Sequence, residues 1–402
     1  MQPNEIDLLD FDHYAAGPPH KLWERLRRVA PVYWQEESDG GPGFWSVLKH
    51  EDITHVSKNP QLFSSNQGTN IMDATPEILP ILQGIMINMD PPQHTEYRTL
   101  INKGFTPRRV AKLEGFVGKV AGRIIDEVAP RGECDFVEDV AALLPITMIC
   151  ELFGIPEPDR RHCYELANRL IGRDDPDITP DPNEGDPLAD TFGYATKLRS
   201  EKLENPGEDL ATVLVRGQLE GKPVDDMIFG TYVVMMIVAG TETTRTVTTN
   251  GMLRLIQHPE QRRELVDDPS LIPQAIEEML RFDPAVHHFR RTATLDTEIR
   301  EVSIRAGQKL VLWYGSGNRD DEVFDDPHRF DIHRANAKDH LAFGIGQHFC
   351  LGATLARLQL RSIFGEVLRR IPDMELESEP RRLRSNFING VKEMRVRFRP
   401  SG

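Results

Sequence analysis

The stretch His340 to Leu360, HLAFGIGQHFCLGATLARLQL, decides how the rest of the chain is read. Gly344 and Gly346 precede Cys350, Gly352 follows it, and apolar residues then recur at helical spacing from Ala353 to Ile371. The run from Leu351 onward predicts a helix, which puts the sulfur at a helix N-terminus. Unpaired N–H groups and the positive end of the dipole favour a thiolate there. Glycines let the backbone come close to something flat. A single cysteine among apolar neighbours is more often an inert buried residue, and taken alone this one reads that way. Cys134, Cys150 and Cys163 form no C-x-x-C spacing and have no paired histidine, which argues against a zinc site or a disulfide framework. A reducing cytoplasm is the expected compartment.

The chain has 402 residues, 39% of them apolar and 28% charged, so it buries a core without disulfides or a structural metal. Lys and Arg number 48 against 63 Asp and Glu, a net charge of −15 that argues against a nucleic-acid binder and against general attraction to anionic membranes. The N-terminus, MQPNEIDLLDFDHY, lacks the charged-then-apolar pattern of a signal peptide. The longest apolar run, Ile228 to Gly240, falls short of the ~20 residues of a membrane span and reads as a buried core helix. No phosphate-binding loop and no G-x-G-x-x-G after a strand is present, so the chain carries no nucleotide domain of its own.

Helical periodicity dominates: Asp12 to Val29, Pro107 to Ala129, Pro158 to Ile171, Leu188 to Leu203, Asp225 to Gln257 and Ala353 to Ile371. Strand-like material is scarce. A hairpin is expected between Val32-Tyr33-Trp34 and Phe44 to Val47, with short β-prone pieces at Thr292 to Ile304, Lys309 to Trp313 and Met394 to Phe398. The Pro- and Asp-rich segment 173–187 reads as a flexible acidic loop between two helices, not a domain linker. The expected fold class is mainly α with small β-sheets, as one large domain over 1–402.

Four further motifs carry chemistry. Ala239-Gly240-Thr241-Glu242-Thr243-Thr244 lies inside the longest apolar helix, where a Thr hydroxyl bonds back to the carbonyl four residues earlier and an opened turn holds water. Glu278 and Arg281 are an i,i+3 pair on a helix, with Phe330-Asp331-x-x-Arg334 downstream. Asp90-Pro91-Pro92-x-His94-Thr95-x-Tyr97-Arg98 and FRRTAT, with Arg290 and Arg291, supply cationic side chains, and taken alone Arg98 reads as one half of a helix-surface ion pair.

Phe343-Gly344-x-Gly346-x-His348-x-Cys350-x-Gly352 resembles the heme-binding loop of the cytochrome P-450 monooxygenases, and the other motifs follow in that family's order. The resemblance implies heme b held between a long central helix and the cysteine-loop helix, with Cys350 as axial thiolate to iron. Phe343, Gly344 and Gly352 would shape the loop around the sulfur. His94, Arg98 and His348 would meet the heme propionates, together with Arg291, for which the adjacent Arg290 is an alternative by one position. Glu242 and Thr243 resemble the family's acid–alcohol pair, since splitting dioxygen requires two protons delivered to the departing oxygen. Glu278, Arg281 and Arg334 resemble its structural network, scaffold and not catalysis.

The implied activity is hydroxylation of a C–H bond in a lipophilic small molecule: a terpenoid, a sterol side chain or a branched fatty acid. The pocket would be lined by Ile71, Met72, Ile85, Met86, Val238, Ala239, Val286, Phe289, Phe387 and Ile388, each of which reads equally as ordinary core. With no flavin or nicotinamide domain in the chain, electrons are expected from an iron–sulfur ferredoxin and its NAD(P)H-dependent ferredoxin reductase. Arg109, Arg357 and Arg361 are the expected docking cations. The family default is a monomer. The reading of a different class is a non-catalytic heme-thiolate protein that binds a ligand or gas, against which the Glu242–Thr243 pair argues.

Overall fold

The computed structural model describes residues 7–37, 40–172, 175–178 and 185–401. The chain forms two compact units built from interleaved segments. The first takes residues up to Thr95, then Glu277–Cys350 and Arg384–Asn389. Its centre is a five-stranded sheet in the order Val32–Gln35, Phe44–Val47, Lys309–Trp313, His288–Ala293, Phe63–Ser64. The expected hairpin is its edge, with Trp34 opposite Trp45 and the two rings edge-on at 5.0 Å. Every residue of Lys309–Trp313 is buried, because period-two alternation sends Leu310 and Leu312 into a core with Ile53, Val56 and Phe63, and Val311 and Trp313 into another with Trp23, Leu26 and Phe44.

The single helix expected over Asp12 to Val29 is two, Phe11–Ala15 and His20–Val29. Gly17 between them has φ +123°, and Pro18 and Pro19 have no N–H to continue the ladder. The Thr292 to Ile304 piece likewise divides: it holds the end of His288–Ala293 and a separate hairpin, Thr297–Ile299 with Val302–Ile304.

The second unit comprises Glu96–Ile276, Leu351–Leu383 and the chain from Gly390 onward. It is organised around the 32-residue helix Asp226–Gln257, whose N-cap Asp225 accepts a hydrogen bond from the Ile228 N–H. Pro187–Glu204, Leu143–Phe153 and Arg160–Ile171 pack on it. Long and apolar enough by composition to cross a membrane, it is the core helix of this unit, buried from Phe229 through Ile237. Gly240 is where the Leu143–Phe153 helix comes closest: a Cβ there would sit 2.2 Å from Ile149 Cδ1. Leu143–Phe153 carries no apolar stripe that marks it as a helix in the sequence, because LLPITMICELF is apolar on nearly every side. The expected helix Pro107 to Ala129 breaks at Leu113 into Pro107–Lys112 and Glu114–Val128. In the expected acidic loop, Asp175 is buried and held by Lys392 at 2.9 Å, and residue 187 already begins a helix. Of that loop, 173–174 and 179–184 lie outside the described residues.

Candidate functional site

In the first unit the cysteine loop is closed by its own backbone, with the Cys350 N–H donating to the Phe343 carbonyl at 2.8 Å. Gly344 and Gly346 have φ of +65° and +75°, and a Cβ on Gly346 would lie 2.5 Å from the Ser57 carbonyl oxygen, so glycine is required there twice over. A 3₁₀ turn, Gly346–His348, carries His348. The helix Ala353–Arg370 begins at the expected Ala353, but Leu351 lies in a turn and Gly352 is the N-cap, which places Cys350 two residues ahead of the cap and not within the helix's first turn.

His348 is brought against His94, ring centroids 4.3 Å apart, and its Nε2 lies 3.2 Å from Ser65 Oγ. The Ser65 N–H in turn donates to the Asp90 carboxylate at 2.9 Å. Arg98 is four residues beyond His94 on the helix Gln93–Asn102, hence on the same side of it.

The two candidate arginines of strand His288–Ala293 separate cleanly. Alternation puts Phe289 and Arg291 on one face and His288 and Arg290 on the other. Arg290 is committed to Asp73 at 2.6 Å. Arg291 is buried and donates to the Arg290 carbonyl at 2.7 Å, and among the described residues no carboxylate lies within ion-pair distance of it. Burial pulls its pKa below the ordinary guanidinium value, against the opposing influence of Tyr314 and of the Asp90 charge. A buried cation without a carboxylate is the arrangement an anionic ligand completes. With a thiol as a soft metal ligand on a glycine-opened loop, these residues fit an iron porphyrin bearing carboxylates.

In the same unit, Glu278 and Arg281 are fully buried and doubly hydrogen-bonded, Nε to Oε2 at 2.7 Å and Nη2 to Oε1 at 2.8 Å. Arg334 Nε approaches the same carboxylate at 3.2 Å, and the Asp331 N–H donates to it at 3.0 Å. One carboxylate therefore faces two guanidinium groups. The surplus charge is taken up by backbone carbonyls of Asn318, Pro327 and Arg329.

In the second unit, Thr243 Oγ1 donates to the Ala239 carbonyl at 2.8 Å, and the helix runs through this turn without interruption. Val238, Ala239, Gly240 and Thr243 are a partly exposed stripe in a helix buried before and after it. Glu242, one residue away, is buried. Its carboxylate is ion-paired to Arg245 and accepts from Thr246 Oγ1 at 3.2 Å. Burial pushes the Glu242 pKa up, and Arg245 and Thr246 act against that push. Arg245 also donates to Tyr164 Oη at 3.0 Å and Asn168 Oδ1 at 2.9 Å, and Tyr164 donates to the exposed Glu138 at 2.8 Å. These partners went unread in the sequence. Glu242 and Arg245 stand at i,i+3, which was the available signal, whereas Tyr164 and Asn168 come from another helix.

A cytochrome P450 family model matches residues 190–379. The steroid C26-monooxygenase of Rhodococcus jostii is 38% identical over 99% of this chain and 85% of its own length. This chain belongs to the cytochrome P450 family. The linalool 8-monooxygenase of Pseudomonas putida is 39% identical over 97% of this chain and 98% of that protein. A solved Mycobacterium marinum cytochrome P450 in complex with pseudoionone superposes with a TM-score of 0.91 at 36% identity, covering 98% of both chains. The expected fold class holds, a P450 fold, mainly helical with small sheets. This P450 is a monooxygenase, and its cofactor is heme b, which supplies the iron at which dioxygen is split.

The pocket residues expected of the P450 divide. In the first unit Val286 and Ile388 form a lone antiparallel bridge, the Phe289 and Phe387 rings meet edge-on at 5.6 Å, and Phe289 also packs against the core of Leu310 and Leu312. Ile85 is half-buried and Met86 is buried in a 3₁₀ turn. Ile71 and Met72 depart from expectation. Ile71 packs in the core with Trp23 and Trp313, and Met72 is 55% exposed, because the chain at this point is pinned to the sheet by Arg290 and Lys309. Of the expected docking cations, Arg109 donates to the Glu208 carbonyl and keeps its charge, whereas Arg361 shares its own with Glu114 at 3.1 Å.

Proposed function

We propose that this P450 inserts one oxygen atom into an unactivated C–H bond of a terpenoid, a sterol side chain or a branched fatty acid, as one catalytic domain spanning 1–402. Electrons come from a ferredoxin reduced by an NAD(P)H-dependent reductase. The protein works as a cytoplasmic monomer. Cys350 would supply the thiolate ligand to heme iron, on the loop shaped by Phe343, Gly344 and Gly352. His94, Arg98, Arg291 and His348 hold the propionates. The expected substrate residues of the first unit, Val286, Phe289, Phe387, Ile388, Ile85 and Met86, carry no charge, and neither do Val238 and Ala239 of the second, which favours a lipophilic substrate. Names of relatives that act on a steroid and on linalool support that class.

The observation that carries the proposal is the accessible Thr243 hydroxyl on an apolar stripe, beside a buried and fully partnered Glu242. Thr243 would pass protons into the site, where heme supplies the oxygen chemistry, and Glu242 would keep that relay supplied. The test is reconstitution with a surrogate ferredoxin and reductase and a lipid and terpenoid library. Members that shift the heme spin state are expected to be hydroxylated with matching NAD(P)H consumption. In Thr243→Ala, heme and substrate binding persist while reducing equivalents appear as hydrogen peroxide. Full coupling in that variant, or no product from any spin-shifting compound, overturns the proposal.

A further inference from the structure

Cys150 and Cys163, which no C-x-x-C spacing joins in the sequence, come together in the second unit. Cys150 lies in the last turn of the helix Leu143–Phe153 and Cys163 in the first turn of Arg160–Ile171. The two helices pack against each other and against Asp226–Gln257. Both cysteines are fully buried, and their thiols are hydrogen-bonded to each other. The connection between the helices is open to solvent on one side. Gly154 ends the first helix at φ +65°, and the Ile155 N–H returns to the Cys150 carbonyl at 2.8 Å. Pro156, Glu157 and Pro158 are then exposed, so a small solute reaches this turn and the backbone there has room to adjust.

The two sulfurs are not equivalent. Cys163 stands at the positive end of a helix dipole, which favours a thiolate. Its sulfur accepts from the Cys150 thiol and is within hydrogen-bonding reach of Tyr194 Oη, which also donates to Asp159 at 3.1 Å. The Cys150 bond, helped by Tyr194, holds the Cys163 pKa below the ordinary thiol value, while burial and the Asp159 charge act against it. The same bond, with burial, pushes Cys150 up. By contrast, burial and the neighbouring charges of Asp139 and Asp135 push Cys134 up to about 12. One sulfur of the pair is thus set up as a nucleophile and the other as its resolving partner, the arrangement of thiols that react with peroxide.

We propose that Cys150 and Cys163 form an oxidative modification site, a dithiol that hydrogen peroxide converts to a disulfide. The Cys163 thiolate attacks one peroxide oxygen, the O–O bond breaks, and hydroxide leaves and takes up the proton that the thiol had given. Cys163 is then a sulfenic acid. The Cys150 thiol attacks its sulfur, the S–O bond breaks, and the Cys150 proton goes with the departing hydroxyl as water. Two thiols lose two electrons, and one peroxide is reduced to two waters. Peroxide is the product of uncoupled turnover, so the oxidant arises beside the site. In a reducing compartment such a bridge is transient and reports oxidation.

The experiment treats the heme-loaded protein with hydrogen peroxide and, in parallel, with diamide, a thiol oxidant that works without peroxide. Free thiols are then blocked, and the digested protein is mapped by mass spectrometry. A Cys150–Cys163 cross-linked peptide is expected with both oxidants and is lost on treatment with dithiothreitol, while Cys134 is consumed on the order of tenfold more slowly or less. In Cys150→Ala, dimedone is expected to trap a sulfenic acid on Cys163, and in Cys163→Ala to leave Cys150 unlabelled. No cross-linked peptide with either oxidant overturns the proposal. A cross-link with diamide but none with peroxide overturns it as well, because the oxidant is then wrong. Loss of Cys134 at the same rate as the pair overturns it as general exposure of thiols. Dimedone on Cys150 but not on Cys163 overturns the assignment of Cys163 as the attacking sulfur. If either variant fails to load heme, the map of the wild-type protein decides alone.

Discussion

Replacing Arg291 by Gln is expected to leave the heme-free protein as stable as before, or more so, while loosening the cofactor. The reasoning starts from burial. Arg291 is 5% exposed and donates to the Arg290 backbone carbonyl at 2.7 Å, with no carboxylate beside it among the described residues. Moving a charge out of water costs several kcal/mol unless a counter-charge returns it, and without heme that return is absent. The substitution removes this cost, so unfolding of the apoprotein in urea shifts by about 0 to +2 kcal/mol in the stabilising direction. With heme, the same change deletes a buried charge pair worth about 3–5 kcal/mol when broken, which is a loss of roughly 10² to 10⁴ in heme affinity. Arg290→Gln is expected to do the reverse. It breaks the 2.6 Å pair with the half-exposed Asp73, destabilises the apoprotein by about 1–2 kcal/mol, and leaves heme retention near the wild-type value. The assays are urea unfolding of the apoproteins and the rate of heme transfer to an excess acceptor protein. If Arg291→Gln destabilises the apoprotein more than Arg290→Gln does, and transfers heme at the wild-type rate, the assignment of Arg291 to a propionate is wrong.

Glu278→Ala leaves Arg281 and Arg334 facing each other without their shared carboxylate, and a loss of at least 3–5 kcal/mol in equilibrium unfolding is expected; a loss under 1 kcal/mol would contradict the scaffold role. Gly346→Ala puts a methyl against the Ser57 carbonyl at a φ of +75°, so heme loading on expression is expected to fall sharply while Gly365→Ala, with open space at its Cβ, loads normally. Reduction by a ferredoxin is expected to slow as salt is raised, and at low salt Arg109→Ala should slow it more than Arg361→Ala, whose charge Glu114 already offsets; insensitivity to ionic strength refutes electrostatic docking.

What was legible in the sequence follows the range of the interactions involved. Lys309 to Trp313 is a strand at those same limits, and the long core helix starts within a residue of its expected position, because a local cap or alternation marks each end. The breaks were legible too, in Gly17-Pro18-Pro19, yet the apolar period ran across them and masked them. Which of two neighbouring arginines stays uncompensated is a matter of strand facing and of Asp73, 217 positions away in the chain, and no local pattern carries it. Ile71 shows the same limit from the other side. Its type fits a pocket wall as well as a core, and only the pinning of the chain by Arg290 and Lys309 sends it to the core.

The acid–alcohol pair is also more unequal than its adjacency suggests. Successive helical residues point about 100° apart, so Thr243 shares the accessible stripe with Ala239 while Glu242 turns inward to Arg245. A carboxylate held by a guanidinium and a threonine hydroxyl does not reach the stripe while those bonds last. Proton supply from Glu242 therefore requires Arg245 to let go, and Arg245 is itself held by Tyr164 and Asn168. Weakening that hold shifts the balance. Tyr164→Phe removes one acceptor from Arg245 and strengthens its commitment to Glu242, so the proton-dependent step should slow and peroxide leakage rise, with substrate affinity unchanged. A variant that couples as well as the wild type would show that Glu242 is supplied by another route, or that Thr243 works without it.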